Sequence, residues 1–273
     1  MKKLIVLFLA LTMVTGFAMA DRDGIGITVG VEFGADGVNK PDDAEDINTY
    51  LMPFFVYENS FFDGALDLFA EVDYTVGLYD ENPMELYVDL RAGYNLFFGR
   101  TSTLSFLLRN EFDPVVLKPR DSEGNNIVGI FTPAVMFNQA FNFGDFYAKA
   151  GAPITYIQED KDADLEIGLN FTAGWASAFG LGLELTAKTI IKPSDSDFYN
   201  GIDILAYFET GPVYFEVLAE IPAEMDYGIS LTPYLSFAFS SGLQIYAYCE
   251  LEAIAAKEGS IVISPAVGVK FSF

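Results

Sequence analysis

The sequence predicts an all-β fold: a transmembrane up-and-down antiparallel β-barrel of about fourteen strands, with twelve or sixteen as the alternatives. Three observations predict it. Hydrophobicity alternates with period two along nearly the whole chain beyond residue 23, the mark of strands with two unlike faces. Tight turns and longer, mostly acidic connections alternate strictly between those strands, as in a barrel with one turn end and one loop end. Finally, 51% apolar and 15% aromatic residues coexist with 39 acids against 15 bases, a formal net charge of -24. That composition excludes a disordered chain, which would be poor in aromatic and β-branched residues. It also leaves no excess of Lys or Arg to neutralise phosphates, so no nucleic-acid partner is expected. The chain has no histidine, which removes His general bases, His metal ligands and Ser-His or Cys-His pairs. The one cysteine, Cys249, excludes an intrachain disulfide and a Cys-rich metal site.

The N-terminus reads as an address. Met1-Lys2-Lys3 is a short positive start, Leu4 to Phe17 is mostly apolar, and Ala18-Met19-Ala20 fits an A-x-A cleavage site. Residues 1–20 are therefore expected to be a cleaved signal peptide and residues 21–273 a single exported barrel domain. An uncleaved membrane anchor is the other reading, but the apolar stretch is short for a span of ~20 residues. Cleavage removes Lys2 and Lys3 and no acid, so the net charge becomes -26. Asp21 to Asp23 alone precede the first strand, which leaves no N-terminal plug.

The strands follow in order. In 24–33, Ile25, Ile27, Val29, Val31 and Phe33 oppose glycines, Thr28 and Glu32. In 47–57 Phe54 faces inward, and in 64–78 Asp67, Phe69, Glu71 and Asp73 do. Strand 84–97 presents Glu85, Tyr87, Asp89 and Arg91 to the polar side; 103–113 presents Leu107, Arg109, Glu111 and Asp113. In 127–139 and 145–157 the inward residues include Ile130, Met136, Asp145, Tyr147 and Lys149. In 164–176 Leu165 to Trp175 oppose Asp164 to Gly174, and in 180–192 Leu181 to Ile191 oppose Gly182, Glu184, Thr186, Lys188 and Lys192. The remaining strands are 201–209, 213–221, 227–239, 243–254 and 260–273, the last carrying Ile261 to Phe273 against Ser260 to Ser272. Pro53, Pro133, Pro153, Pro233 and Pro265 fall inside these spans and mark expected bulges or kinks.

Period alone does not say which face meets water. The apolar faces are nearly free of charge, as hydrocarbon demands, since a charge in lipid costs ~2–4 kcal/mol near the midplane. Aromatics gather at strand ends: Phe61, Phe62, Phe97, Phe98, Phe141, Phe143, Trp175, Phe179 and Phe239 at the turn end, and Tyr74, Tyr79, Tyr156, Phe198, Tyr199 and Tyr227 at the loop end. Two aromatic girdles belong to a membrane-water interface. Asn110, alone on the lipid face, is expected near an interface or a bulge.

With its signal peptide, its dyad repeat and a last strand ending in Val267, Val269, Phe271 and Phe273, the mature chain resembles bacterial outer-membrane β-barrels of the porin type. In size it looks most like the monomeric fourteen-stranded porins. The resemblance implies a location in the outer membrane of a diderm bacterium, with outer-membrane lipid around it. It also implies that Phe271 and Phe273 form the signal read by the barrel-assembly machinery.

The expected pore-lining residues are Glu32, Asp67, Glu71, Asp73, Glu85, Asp89, Arg91, Arg109, Glu111, Lys149, Glu166, Glu184, Lys188, Glu216, Glu250 and Glu252. Acids dominate, and rings of Asp and Glu favour cations. The expected function is a porin-like channel for passive diffusion of small hydrophilic solutes, with cation preference. A water-filled lumen must be polar in any case, so the same carboxylates also read as a merely solvated face. Inward Phe54, Phe69, Tyr207, Tyr214, Tyr234, Tyr246 and Tyr248 suggest an alternative, a transporter for hydrophobic or amphipathic compounds. A surface adhesin acting through its loops is a further one; loop 114–126 either stands in water or folds into the lumen. No enzyme is expected, because outer-membrane phospholipases, acyltransferases and proteases of this architecture use histidine. No cofactor or metal is expected either: the acidic runs 42–46, 159–162 and 195–197 lack EF-hand spacing and read as solvated loops.

Overall fold

Branched and aromatic residues at every second position fit a pleated, half-buried ribbon, and the chain follows that instruction throughout. The computed structural model describes residues 25–36, 48–78, 84–117, 127–159, 162–193, 197–223, 228–253 and 261–273. Among these residues there is no helix. The strands are β1 (Ile25–Asp36), β2 (Asn48–Phe61), β3 (Leu66–Gly77), β4 (Met84–Phe98), β5 (Ser102–Leu117), β6 (Ile127–Phe141), β7 (Gly144–Gly151), β8 (Ile154–Glu159), β9 (Asp162–Ser177), β10 (Leu181–Lys192), β11 (Asp197–Thr210), β12 (Val213–Pro222), β13 (Ile229–Ala238), β14 (Leu243–Ala253) and β15 (Ile261–Ser272).

Apart from β7 and β8, which do not pair with each other, each strand pairs antiparallel with its chain neighbours, and β1 pairs with β15, so the sheet closes. Closure removes the edges that an open sheet would leave unpaired. β7 and β8 both lie between β6 and β9 and are two halves of one stave, giving fourteen staves. This corrects the unbroken strand expected at 145–157. The break is at Ala152 and Pro153, where proline has no N–H to donate. The sheet stays stitched there, because Ala152 N–H donates to the Pro133 carbonyl (3.0 Å) and Gly168 N–H to the Pro153 carbonyl (2.7 Å). Pro53, Pro133, Pro233 and Pro265 remain inside strands. The pairing of β2 with β3 skips Pro53, and that of β13 with β14 skips Pro233.

The unbroken staves are 10 to 16 residues long, enough for the ~9–11 residues that a tilted strand needs to cross a bilayer. Short turns gather at one end. At the four-residue β2–β3 turn Phe62, Asp63 and Gly64 all take left-handed backbone (φ 56°, 55° and 83°), and Ala65 N–H donates to the Phe62 carbonyl (3.2 Å), which puts Asp63 and Gly64 at the centre of a turn whose hand matches strand twist. That turn holds Phe62 80% exposed at the turn rim.

The sidedness is direct. On β9 and β10 Leu169, Phe171, Leu183 and Leu185 point away from the barrel and are 48% to 61% exposed, while Thr172 and Thr186 on the same strands are buried against each other. At the turn end Phe141, Phe143, Phe146 and Trp175 form one ring cluster, with neighbouring centroids 5.4 to 6.3 Å apart. At the loop end Tyr156 is exposed; Tyr79 and Tyr227 lie outside the described residues. Tyr199 departs from the expected girdle: it alternates with Gly201 and Asp203 on the lumen side, one residue out of phase with Phe198. Asn110 sits mid-strand opposite Leu90 and Phe131. The β4–β5 register slips just beyond Phe112, two residues away, so its bulge neighbour is present.

Candidate functional site

Residues directly opposite in an antiparallel ladder share a face, so the register carries the lumen assignment from strand to strand. Of the expected lining residues, Glu32, Asp67, Asp89, Arg91, Arg109, Glu111, Glu166, Glu184, Lys188 and Glu216 join hydrogen bonds or ion pairs along the wall, and Glu85, Glu250 and Glu252 share the lumen face toward the loop end. The wall is built in two different ways on its two sides.

On β4 and β5 the wall is ionic. The register sets Arg91 opposite Arg109 and Asp89 opposite Glu111, pairs of like charge that repel when they face each other. The clash is relieved along the diagonal. Asp89, fully buried, accepts hydrogen bonds from Arg91 (Nε 2.8 Å, Nη2 2.5 Å) and from Arg109 (Nε 3.0 Å, Nη2 2.8 Å). Arg109 also pairs with Glu111 at 2.7 Å, and the Arg91 guanidinium lies 4.3 Å above the Phe69 ring. Glu71 stands opposite Asp89 on β3. Toward the turn end Asp67 accepts from Ser60 and from Asn95, both at 2.6 Å. Across the lumen floor Lys188 pairs with Asp203 and Glu220, and Lys192 with Glu166 at 2.7 Å.

A cavity of about 880 Å³ opens beside this wall. Its charged lining comprises Glu58, Asp67, Arg91, Arg109, Glu111, Lys149, Lys188 and Asp203. Small residues, among them Gly93, Ala134, Gly151 and Gly168, keep it open. Glu58 escaped the sequence reading because the expected strand stopped at 57, whereas β2 runs on to Phe61.

From β11 round to β2 the wall is aromatic. Tyrosine and phenylalanine rings lie flat over glycines of the adjacent strand: Phe54 over Gly30, Tyr50 over Gly34, Tyr207 over Gly182 and Tyr246 over Gly268, and, outside this stretch, Tyr147 of β7 over Gly174 of β9. A Cβ at any of these glycines would overlap the ring. Tyr207, Tyr214, Tyr234 and Tyr246 follow one another round the wall with centroids 6.0, 6.0 and 5.8 Å apart. The first and last of these ring pairs are nearly parallel, at 25° and 21°. That spacing is too wide for face-to-face contact, so the rings are laid side by side like tiles.

The tiles are pinned by carboxylates. Glu32, 3% exposed, accepts from the hydroxyls of Tyr50 (2.9 Å), Tyr246 (3.0 Å) and Tyr248 (2.7 Å). Tyr147 donates to Glu184 and Tyr214 to Glu216. Asp73 lies opposite Phe54 and Tyr87. Tyr50 was not singled out from the sequence, although it shares the parity of Phe54. The ammonium of Lys270 lies 5.7 Å from the Tyr246 ring centroid.

At the barrel seam Phe271 faces outward opposite Leu243 and Val29. Its ring packs edge-on against Phe273 at 4.7 Å, and Phe273 N–H donates to the Ile27 carbonyl (2.9 Å). Among the described residues no group of three or more carboxylates or thiols is arranged to hold a metal ion. Residues 118–126, most of the connection whose path into the lumen was in question, lie outside the described residues.

No protein-family model and no curated protein sequence matches the chain. Solved structures that overlay on it include a triple mutant of the Rhodopseudomonas blastica porin, at 8% identity and a TM-score of 0.45, and another variant of the Rh. blastica porin, at 9% and 0.46. Each comparison covers 91% of this chain and 100% of the other.

Proposed function

We propose that the chain forms an outer-membrane channel for passive diffusion of small hydrophilic solutes, with a preference for cations. The observation that carries this reading is the space of about 880 Å³ beside a polar wall, inside a barrel whose outer face is apolar. The cation preference draws on the uneven charge of the lumen face. Around the cavity the four bases are matched by four acids. Elsewhere on the lumen face, among the described residues, Glu32, Asp73, Glu166, Glu184 and Glu216 outnumber Lys270 and Lys192. Low-dielectric walls focus such a field and raise the local cation concentration. The carboxylates of Glu32, Glu184 and Glu216 interrupt the aromatic wall, which favours hydrophilic solutes over the amphipathic alternative.

Planar-bilayer recording of the refolded protein across a KCl gradient tests both parts. Stepwise conductance with a reversal potential toward K⁺ is expected. Absence of conductance would overturn the channel, and a reversal potential toward Cl⁻ would overturn the cation preference alone.

A further inference from the structure

We infer that the tyrosine tiles of β11–β14 form a binding site for organic ammonium ions, which makes these the solutes the channel favours; the inference rests on the channel reading and names its substrate class. A cation over an aromatic face is held by the ring quadrupole, and desolvated sites hold it more strongly than exposed ones. Three features of the lumen meet in that requirement.

The first is presentation. Tyr207 lies flat over Gly182, so one face of its ring is spent on the wall, while the ring stays partly exposed on its other side; Tyr246 lies flat over Gly268 and is buried, 7% exposed, with the Lys270 ammonium over it. Tyr214 and Tyr234 continue the same course between them. The second is charge. Glu216 lies between Tyr207 and Tyr234 in the ladder and holds the Tyr214 hydroxyl, so an anionic carboxylate sits within the tiled surface. Accepting a hydrogen bond from tyrosine leaves its charge in place, and the ring faces gain electron density from the partly polarised O–H. The third is a stand-in. The chain's own ammonium, Lys270 Nζ, already rests over Tyr246, and a guanidinium rests over Phe69 on the opposite wall. The lumen thus shows twice the contact that a soluble cation would make. Lys270 occupies only the Tyr246 end of the course.

A quaternary ammonium suits this surface better than a hydrated metal ion. It cannot donate hydrogen bonds to the carboxylates, sheds water readily, and spreads its charge over methyl groups that fit a ring face. A neutral sugar would also stack on tyrosines, and is the competing occupant that the test must separate.

The experiment uses choline and its uncharged isostere 3,3-dimethyl-1-butanol, with maltose as a third probe. Binding to the refolded full chain in neutral detergent is followed by saturation-transfer NMR, and conductance of the same preparation is recorded in parallel. Choline is expected to bind at least about fivefold more tightly than the isostere. Tyr214→Leu and Glu216→Gln should each weaken choline by about fivefold or more, and Lys270→Met should tighten it by exposing the last tile. Heat-modifiable gel migration checks that each variant is folded; should Tyr214→Leu fail to fold, Glu216→Gln alone decides. Equal binding of choline and the isostere, maltose binding without choline binding, or unchanged affinity in Glu216→Gln would overturn the inference. Choline binding that persists without conductance would uphold the site and remove only the channel. Conductance without choline selectivity would do the reverse.

Discussion

The β4–β5 wall and the β14–β1 wall solve the same problem with opposite materials. Both must line a concave, wet surface with side chains that hold still. On β4 and β5 two guanidiniums converge on one buried carboxylate, Asp89, and remain 46% and 39% exposed as they reach into the lumen. On β14 and β2 the neutral hydroxyls of Tyr246, Tyr248 and Tyr50 converge on one buried carboxylate, Glu32 of β1, while the rings of Tyr246 and Tyr50 press against glycine. In the first case a charge is held by charges, and the grid is only as stable as its weakest partner. In the second a charge is held by three neutral donors, each replaceable. The difference teaches that burial of an acid in this barrel is affordable by either route, but that the routes fail differently.

The sharpest way to break the contrast is to remove the central acid of the ionic wall. Asp89→Ala leaves Arg91 and Arg109 facing each other, with Glu111 and the Tyr87 hydroxyl beside Arg109 and the Phe69 ring beneath Arg91. Breaking a buried pair costs ~3–5 kcal/mol, and the partial hydration of both arginines places the expected loss near the lower end, about 3 kcal/mol. Urea titration of the barrel refolded into lipid vesicles measures it. A loss under about 1 kcal/mol would show that lumen water already screens the two guanidiniums.

A second substitution sets the two walls against each other directly. Gly268→Val puts a side chain where the Tyr246 ring lies, so the ring must swing into the lumen and give up its bond to Glu32. Overpacking of this kind costs ~1–3 kcal/mol, and conductance should fall because the displaced ring narrows the bore. Gly129→Val is the control, since the nearest atoms to a Cβ there are at 3.7 Å on Phe112, in ordinary contact. Equal effects of the two variants on stability would mean that the rings are not seated on the glycines at all.

How much of this was open to a reader of the sequence follows from what period two does and does not encode. The alternation of Leu181, Leu183 and Leu185 with Gly182, Glu184 and Thr186 fixes faces within a strand, and so the closed barrel and the inward acids were legible. Register is not encoded by alternation. That Arg109 meets Asp89 and not a neighbour depends on which residues stand opposite, which no single strand reveals. The tiles were half legible: glycines at 30, 34, 174, 182 and 268 fall on the lumen parity, but the ring that covers each is on another strand. Two misreadings came from single-residue effects. Tyr199 beside Phe198 looked like a girdle pair, although adjacent residues on a strand face opposite ways. Pro153 was noticed in the sequence, but that it divides a stave while Pro133 does not is set by the pairing across β6 and β9.

Within the tyrosine wall, redundancy predicts a mild response. Tyr248→Phe removes one of three hydroxyls from Glu32 and leaves Tyr50 and Tyr246 in place. A hydrogen bond to a charged group contributes ~1.5–3 kcal/mol, but the freed lone pair can take lumen water, so about 1 kcal/mol is expected in the same urea assay. If the loss matches that of Asp89→Ala, the neutral cluster is as brittle as the ionic one and the contrast between the walls disappears.

The smallest effect is expected where charge pairing and hydration compete on nearly equal terms. Lys192 and Glu166 pair at 2.7 Å near the loop end, with the lysine side chain 43% exposed. Water there can solvate the ammonium almost as well as the carboxylate does, and ordering a long lysine chain costs entropy that offsets part of the attraction. Exposed pairs of this kind contribute ~0.2–1 kcal/mol, so Lys192→Gln should lower stability by about 0.5 kcal/mol. Because the pair is reached by solution ions, that loss should shrink as salt rises from low ionic strength toward 1 M, where the screening length falls to about 3 Å. Asp89, shielded from water, should keep most of its effect over the same range. A salt dependence equal for the two variants would place both carboxylates in the same solvated environment, which the full burial of Asp89 forbids.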